Sequence, residues 1–404
     1  MTRPRRVGGS DLRGASQLAV EAVHQVTDLV EAVHSGIASP LATRLGLRPA
    51  RARGIAGVVY GLVRWVTRHT GRGLDAALRS LEPALAEPPV SAAREAVVAA
   101  LNGVMGDTLA ARGNPLAIPL QVRHAGVGVP LERAALAAAF PAAGPRLVVL
   151  LHGLCMNDLQ WARQGHDHGA ALARDHGLTP VYLHYNTGLH VSENGRAVSA
   201  LLEALVRQWP VEVEELTILG HSLGGLVARS ACHVAAQAGH GWPRMLSRIV
   251  FLGTPHHGAP LERGGQWFHR VLGGAPYAAP FARLGRLRSA GITDLRHGSL
   301  LDEDWQGRDR FASHGDGPLP LPLPDGVACH AVAATLGTMP GSLREKLLAG
   351  DGLVPVASAL GDHRDPARAL GIPADRRFVA TGVGHLDLLS RPEVYARLSS
   401  WLAG

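Results

Sequence analysis

The chain has 404 residues, 46% of them hydrophobic and 18% charged, with a formal net charge of +7. This length exceeds one typical domain, and the apolar content suffices for a large core. Lys346 is the single lysine and aromatic residues make up 4%, with no zinc-finger spacing or RNA-binding aromatic signature, so nucleic acid is excluded as an expected partner.

The first 114 residues hold 14 arginines and 9 acidic residues, a net +5 that leaves +2 for the remainder. Arg3, Arg5 and Arg6 make a basic start, but residues 7–14 are not an apolar signal-peptide core. The apolar run from Gly54 stops at Arg64, too short to span a bilayer. A cytoplasmic protein is therefore expected, with peripheral membrane attachment left open. Helical spacing predicts helices over 17–37, 51–70 and 91–111, separated at Pro40, Pro49 and residues 83–89. The favoured reading is a helical cap packed on the rest of the chain. The alternative is a basic amphipathic segment, residues 51–72, in peripheral contact with an anionic membrane. Glycines at 54, 57 and 61 weigh against a stable surface helix.

Beyond this region strands and helices alternate. One or two short strands are expected within 116–140. Strands are then predicted over 147–151, 180–185, 216–219, 249–252, 327–334 and 377–380. Helices are predicted over 169–175, 193–209, 224–238 and 392–402. Such alternation implies a mainly parallel sheet with helices on both faces.

Several strand ends carry distinctive residues. The strand 147–151 runs into His152, Gly153 and Leu154. Gly165-His-Asp-His-Gly169 follows; two histidines around Asp167 are a weak metal signal, and a helix cap is the better reading. The strand 216–219 enters Gly220-His221-Ser222-Leu223-Gly224. This G-x-S-x-G pattern between strand and helix forces a strained turn with the serine hydroxyl at its apex. Gly253-Thr-Pro-His256-His257-Gly258 follows the next strand, and one of its histidines is expected near the site. Residues 259–326 break the alternation and concentrate aromatics, among them Trp267, Phe268 and Trp305. They read equally as a structural insertion and as a lid over an acyl pocket. Gly350-Asp351-Gly352 and Gly384-His385 complete the chain order Ser, Asp, His.

In these segments the chain resembles the α/β-hydrolase lipases and esterases. Within them it is similar to the bacterial lipase-type branch that includes GPI inositol-deacylase-like proteins. The resemblance covers 146–404. It implies an α/β-hydrolase fold over 115–404 with a lid-like insertion at 259–326, preceded by a helical extension over 1–114. It also implies a serine carboxylic-ester hydrolase. Ser222 would attack the ester carbonyl, His385 would act as base and then acid, and Asp351 would orient His385. The backbone N–H groups of Leu154 and Leu223 would form the oxyanion hole, with His152, Gly153, His221 and His256 in support.

Asp316, Asp325 and Asp387 are rivals for the acid. Asp316 and Asp325 precede the 327–334 strand and so fall at its opposite end, while Asp387 is too near His385 in sequence. Cys155 lacks the turn context of a nucleophile and reads as loop packing. With Cys232 and Cys329 it makes an odd, sparse set that fits a reducing compartment. No cofactor or metal is expected, and the substrate is an ester or lipid of open chain length and head group. Acyl transfer and thioester hydrolysis remain alternatives on the same residues. So does a non-catalytic membrane-associated binding protein of the same fold.

Overall fold

The computed structural model describes residues 10–11, 13–20, 92–259, 289–309, 317–337 and 350–403. The predicted helix over 51–70, the membrane-contact segment 51–72, most of the helix over 17–37 and residues 260–288 and 310–316 of the lid-like insertion lie outside them. The chain divides into two compact units, residues 1–89 with 112–116, and residues 90–111 with 117–404. In the first unit residues 13–20 are helical, and the Asn114 side-chain amide donates to the Gly14 carbonyl at 3.3 Å.

The second unit is built on one sheet. Its strands are β1 (Gln121–His124), β2 (Val127–Val129), β3 (Arg146–Leu151), β4 (Thr179–His184), β5 (Glu215–His221), β6 (Leu246–Leu252), β7 (Ala328–Thr335) and β8 (Arg377–Thr381). They lie in the order β2-β1-β4-β3-β5-β6-β7-β8. Strands β3 to β8 pair in parallel, while β1 is antiparallel to both β2 and β4. Each predicted core strand is present, and the short strands expected within 116–140 are β1 and β2.

The central strands are apolar throughout because both sheet faces are covered. Leu147, Val149 and Leu151 point into one buried cluster, and Val148 and Leu150 into the other. Strand β6 divides in the same way, Ile249 and Phe251 against Val250 and Leu252. Helices α1 (Ala92–Ala111), α2 (Arg133–Ala139), α4 (Val191–Gln208), α5 (Leu223–Ala238) and α6 (Ala290–His297) cover the first face. Helices α3 (His168–His176) and α8 (Pro392–Leu402) cover the second. The short α7 (Val356–Ala359) follows the Asp351 turn.

Helix α1 groups with the sheet unit although the sequence reading placed it in the extension. Ala100 and Val104 belong to the main core cluster, and Ser289 donates to the Gly103 carbonyl at 2.6 Å. Asp167 caps α3, accepting the Ala170 N–H at 3.0 Å. Among the described residues no helix is long and apolar enough to cross a membrane.

Candidate active site

Four loops leave the carboxyl edge of the parallel strands and meet over β5 and β6. This is the edge where open α/β sheets place their ligands. The turn after β5 holds Ser222 at φ 54°, ψ −120°, a backbone region that costs a non-glycine residue on the order of 1–3 kcal/mol. The Ser222 N–H is held by the Leu252 carbonyl at 2.8 Å. Gly224 has to be glycine here, because a Cβ would lie 2.2 Å from the Leu151 carbonyl oxygen. Leu223 follows as the first residue of α5, so its N–H has no acceptor within the helix.

The loop after β3 brings Gly153 and Leu154 against the serine. A Cβ on Gly153 would sit 3.1 Å from the Ser222 Cβ and 2.9 Å from His221 Nδ1. Both ends of this loop are anchored from the segment following β4. The Tyr185 hydroxyl donates to the His152 carbonyl at 2.5 Å. Thr187 Oγ1 accepts the Cys155 N–H at 3.1 Å. Cys155 is buried with φ 61°, its thiol pushed up to about 12 by burial, which fits packing rather than nucleophilic chemistry.

His152 is fully buried and stacks on Tyr185 with centroids 4.4 Å apart. Burial, with smaller help from nearby His184, lowers it to about 3. It is neutral, so it cannot serve as a charged donor, and its Nδ1 meets the Gly153 carbonyl at 3.0 Å.

His385 opens the turn His385–Leu389. Its Nδ1 lies 2.7 Å from Asp351 Oδ2. A carboxylate only accepts, so Nδ1 carries the proton and Nε2 is left for another partner. The other Asp351 oxygen accepts the N–H groups of Leu353 and Val354 at 2.9 and 2.8 Å. These contacts fix the carboxylate, which is 3% exposed. His221 Nε2 meets the His385 carbonyl at 3.3 Å, and burial holds the His221 ring neutral. His168 grips the same turn from α3, its Nε2 2.9 Å from the Leu388 carbonyl.

Asp387 faces away from this pair and takes Arg163 at 3.4 Å. Asp325 is exposed just before β7, at the far end of the sheet, and Asp316 lies outside the described residues.

Gly153, Leu154, His221, Ser222 and His385 thus wall one cavity, with Ala259, Leu295, Leu353, Val354 and Leu386 as its apolar rim. It measures about 10 Å³, room for roughly one water-sized group. His256 is not on its wall. Its Nδ1 faces the buried Arg229 at 3.4 Å.

His168 stood out only in the weak metal pattern, and Tyr185 and Thr187 carry no motif. Their signal was position alone, since Tyr185 and Thr187 leave the end of the strand beside β3. In Gly165–Gly169 the two histidines bond each other at 2.8 Å. Among the described residues no cluster of three or more His, Cys, Asp or Glu could hold a metal.

A family model described as the PGAP1-like alpha/beta domain matches residues 144–318. Among solved structures, the mature form of the lipase BlEst2 from Bacillus licheniformis is 17% identical. It covers 65% of this chain and 93% of its own at a TM-score of 0.41. Esterase Pf2001 from Pyrococcus furiosus is 13% identical, covering 64% and 83% at 0.37. A lipase-esterase related protein from Clostridium acetobutylicum is 11% identical, covering 70% and 98% at 0.36. No curated protein matches significantly. Over residues 144–318 the chain is similar to the PGAP1-like alpha/beta domain, and its eight-stranded, mostly parallel sheet carries helices on both faces.

Proposed function

We propose that the chain is a serine carboxylic-ester hydrolase acting through Ser222, His385 and Asp351. The observation that carries this reading is the 2.7 Å bond from His385 to Asp351 beside a cavity shared with Ser222. Ser222 Oγ attacks the ester carbonyl while His385 Nε2 takes its proton and returns it to the leaving alcohol. Asp351 keeps the proton on Nδ1 and stabilises the imidazolium as it forms. The N–H groups of Leu154 and Leu223 receive the oxyanion, each contributing about 3 kcal/mol in the transition state. Water then releases the acyl group. The leucine- and valine-rich rim suits the acyl chain of an ester or lipid.

Labelling by a fluorophosphonate probe, with hydrolysis of p-nitrophenyl esters of rising chain length, tests this. Wild type should label and hydrolyse, and Ser222→Ala should do neither while folding normally. A Ser222→Ala protein that keeps more than about a tenth of the activity would sink the assignment, because loss of a triad nucleophile typically costs several orders of magnitude.

A further inference from the structure

A second cavity, of about 250 Å³, lies on the other side of α6. Leu295 of this helix lines the Ser222 cavity, whereas Thr293 and Asp294 line the second one. The remaining wall includes His190, Ser299, Trp305 and Arg308. At this size it falls just below ordinary small-molecule pockets of about 300 Å³ and above, so its occupant is small.

The wall carries two carboxylates, and both are already engaged. Asp304 gives one oxygen to the Leu319 N–H at 2.8 Å and the other to the N–H groups of Leu300 and Leu301 at 2.8 and 3.0 Å. Asp294 is 1% exposed and accepts the Val191 N–H at 2.8 Å and His190 Nδ1 at 3.0 Å. Burial pushes the Asp294 carboxyl up, while its bonds to His190 and Val191 oppose that rise.

The groups left for an occupant are one acceptor and two donors. His190 has its Nδ1–H committed to Asp294, so Nε2 remains as an acceptor. Its ring is fixed by stacking on Trp305, 3.7 Å between centroids and 7° from parallel. The Trp305 indole is held in turn by Ser192 Oγ at 3.0 Å. Arg308 is exposed at the rim with no carboxylate partner among the described residues. A histidine oriented by a buried carboxylate, an arginine and the Ser299 hydroxyl make a polar wall of mixed donors and acceptor around a small space.

We propose that this cavity binds a small phosphate-bearing molecule held by His190 and Arg308. A carboxylate only accepts and is satisfied by one arginine fork, but a singly protonated phosphate accepts from Arg308 and also donates its O–H to His190 Nε2. The phosphate could belong to a free small ester or to the head group of a lipid bound at Ser222. The binding claim itself does not depend on the hydrolase reading.

Isothermal titration of the full chain with inorganic phosphate, glycerol 3-phosphate and acetate tests the proposal. Either phosphate probe should bind one to one at millimolar or lower concentration, and Ser222→Ala should bind as well as wild type. Arg308→Gln, at an exposed position, should weaken binding about tenfold or more through loss of a charge-assisted contact. His190→Gln should also weaken it, with an unchanged melting profile confirming the fold. Absence of saturable binding by both phosphate probes overturns the proposal. So does binding indifferent to Arg308→Gln, or acetate binding as tightly as glycerol 3-phosphate. Inhibition by glycerol 3-phosphate of phospholipid hydrolysis, but not of p-nitrophenyl acetate hydrolysis, assigns the phosphate to a substrate head group. Inhibition of neither assigns it to a free ester.

Discussion

At the residue scale the two nearby carboxylates separate by what they touch. Asp351 accepts from His385 and from two backbone N–H groups, whereas Asp387 meets Arg163 at the turn's outer side. Asp351→Asn should lower turnover by about 10⁴, because the amide favours the wrong imidazole tautomer. Asp387→Asn should cost far less, and parallel kinetics giving the reverse ranking would move the acid to Asp387. That Ser222, Asp351 and His385 come together was legible because each sits in a locally marked turn. A serine in a glycine-flanked turn, and an aspartate and a histidine in glycine turns, each announce themselves within a few positions. The residues that hold them were not. Tyr185 and Thr187 act on a loop more than 30 positions upstream, and His168 grips a turn 220 positions away. Of the two histidines in Gly253–Gly258, His256 faces Arg229. The sequence carries the histidine but not the rotation of its ring.

At the element scale, strands and helices of the sheet unit were readable because periodicity and buried runs report them directly. Their ownership was less so. The spacing predicts a helix over 91–111, but it contains no sign that this helix packs on the loop after β3. That contact rests on Gly103, where a Cβ would lie 2.2 Å from Cys155 Sγ, and on the Cys155 thiol facing the Ala100 carbonyl at 3.8 Å. Two outcomes follow. A truncation beginning at Val90 should stay soluble, whereas one beginning near Asn114 should be insoluble or melt well below it. The second strips the buried Leu101, Val104, Met105 and Leu109. At about 1.5–3 kcal/mol per side chain, that approaches the whole stability of a domain. Equal melting temperatures for the two truncations would refute the assignment of α1 to the core. The same loop yields a kinetic test. Thr187→Val leaves the Cys155 N–H buried without its acceptor, at about 1–3 kcal/mol, and frees the segment carrying the Leu154 N–H. Turnover on a short p-nitrophenyl ester should fall about tenfold with KM little changed, since the donor acts on the transition state. Thr187→Ser, which keeps the acceptor, should restore most of it. A change confined to KM would show that the loop binds substrate rather than the oxyanion.

At the scale of the whole molecule, the buried histidines set how the fold meets acid. His152 is lowered to about 3, mainly by burial and then by His184. His168 is lowered to about 4, mainly by burial and then by His166, against the bond it makes to the Leu388 carbonyl. In the unfolded chain both titrate near the ordinary value of about 6.5. Between that value and about 4 the unfolded state therefore binds more protons than the folded one, and stability rises with pH across this window. Each histidine contributes a limiting slope of about 1.4 kcal/mol per pH unit, so the pair together approach about 3. Above about pH 7 both are neutral in either state and the dependence vanishes. His152 supports the β3 loop and His168 the His385 turn, so acid strains both supports together. Thermal melts from pH 7.5 to 4.5 should show a melting temperature that is flat at first and then drops steeply below about 6. In His168→Gln, whose amide can still donate to Leu388, that drop should be shallower while the plateau is lowered only slightly. An unchanged acid limb in this variant would mean that the proton uptake belongs to other groups.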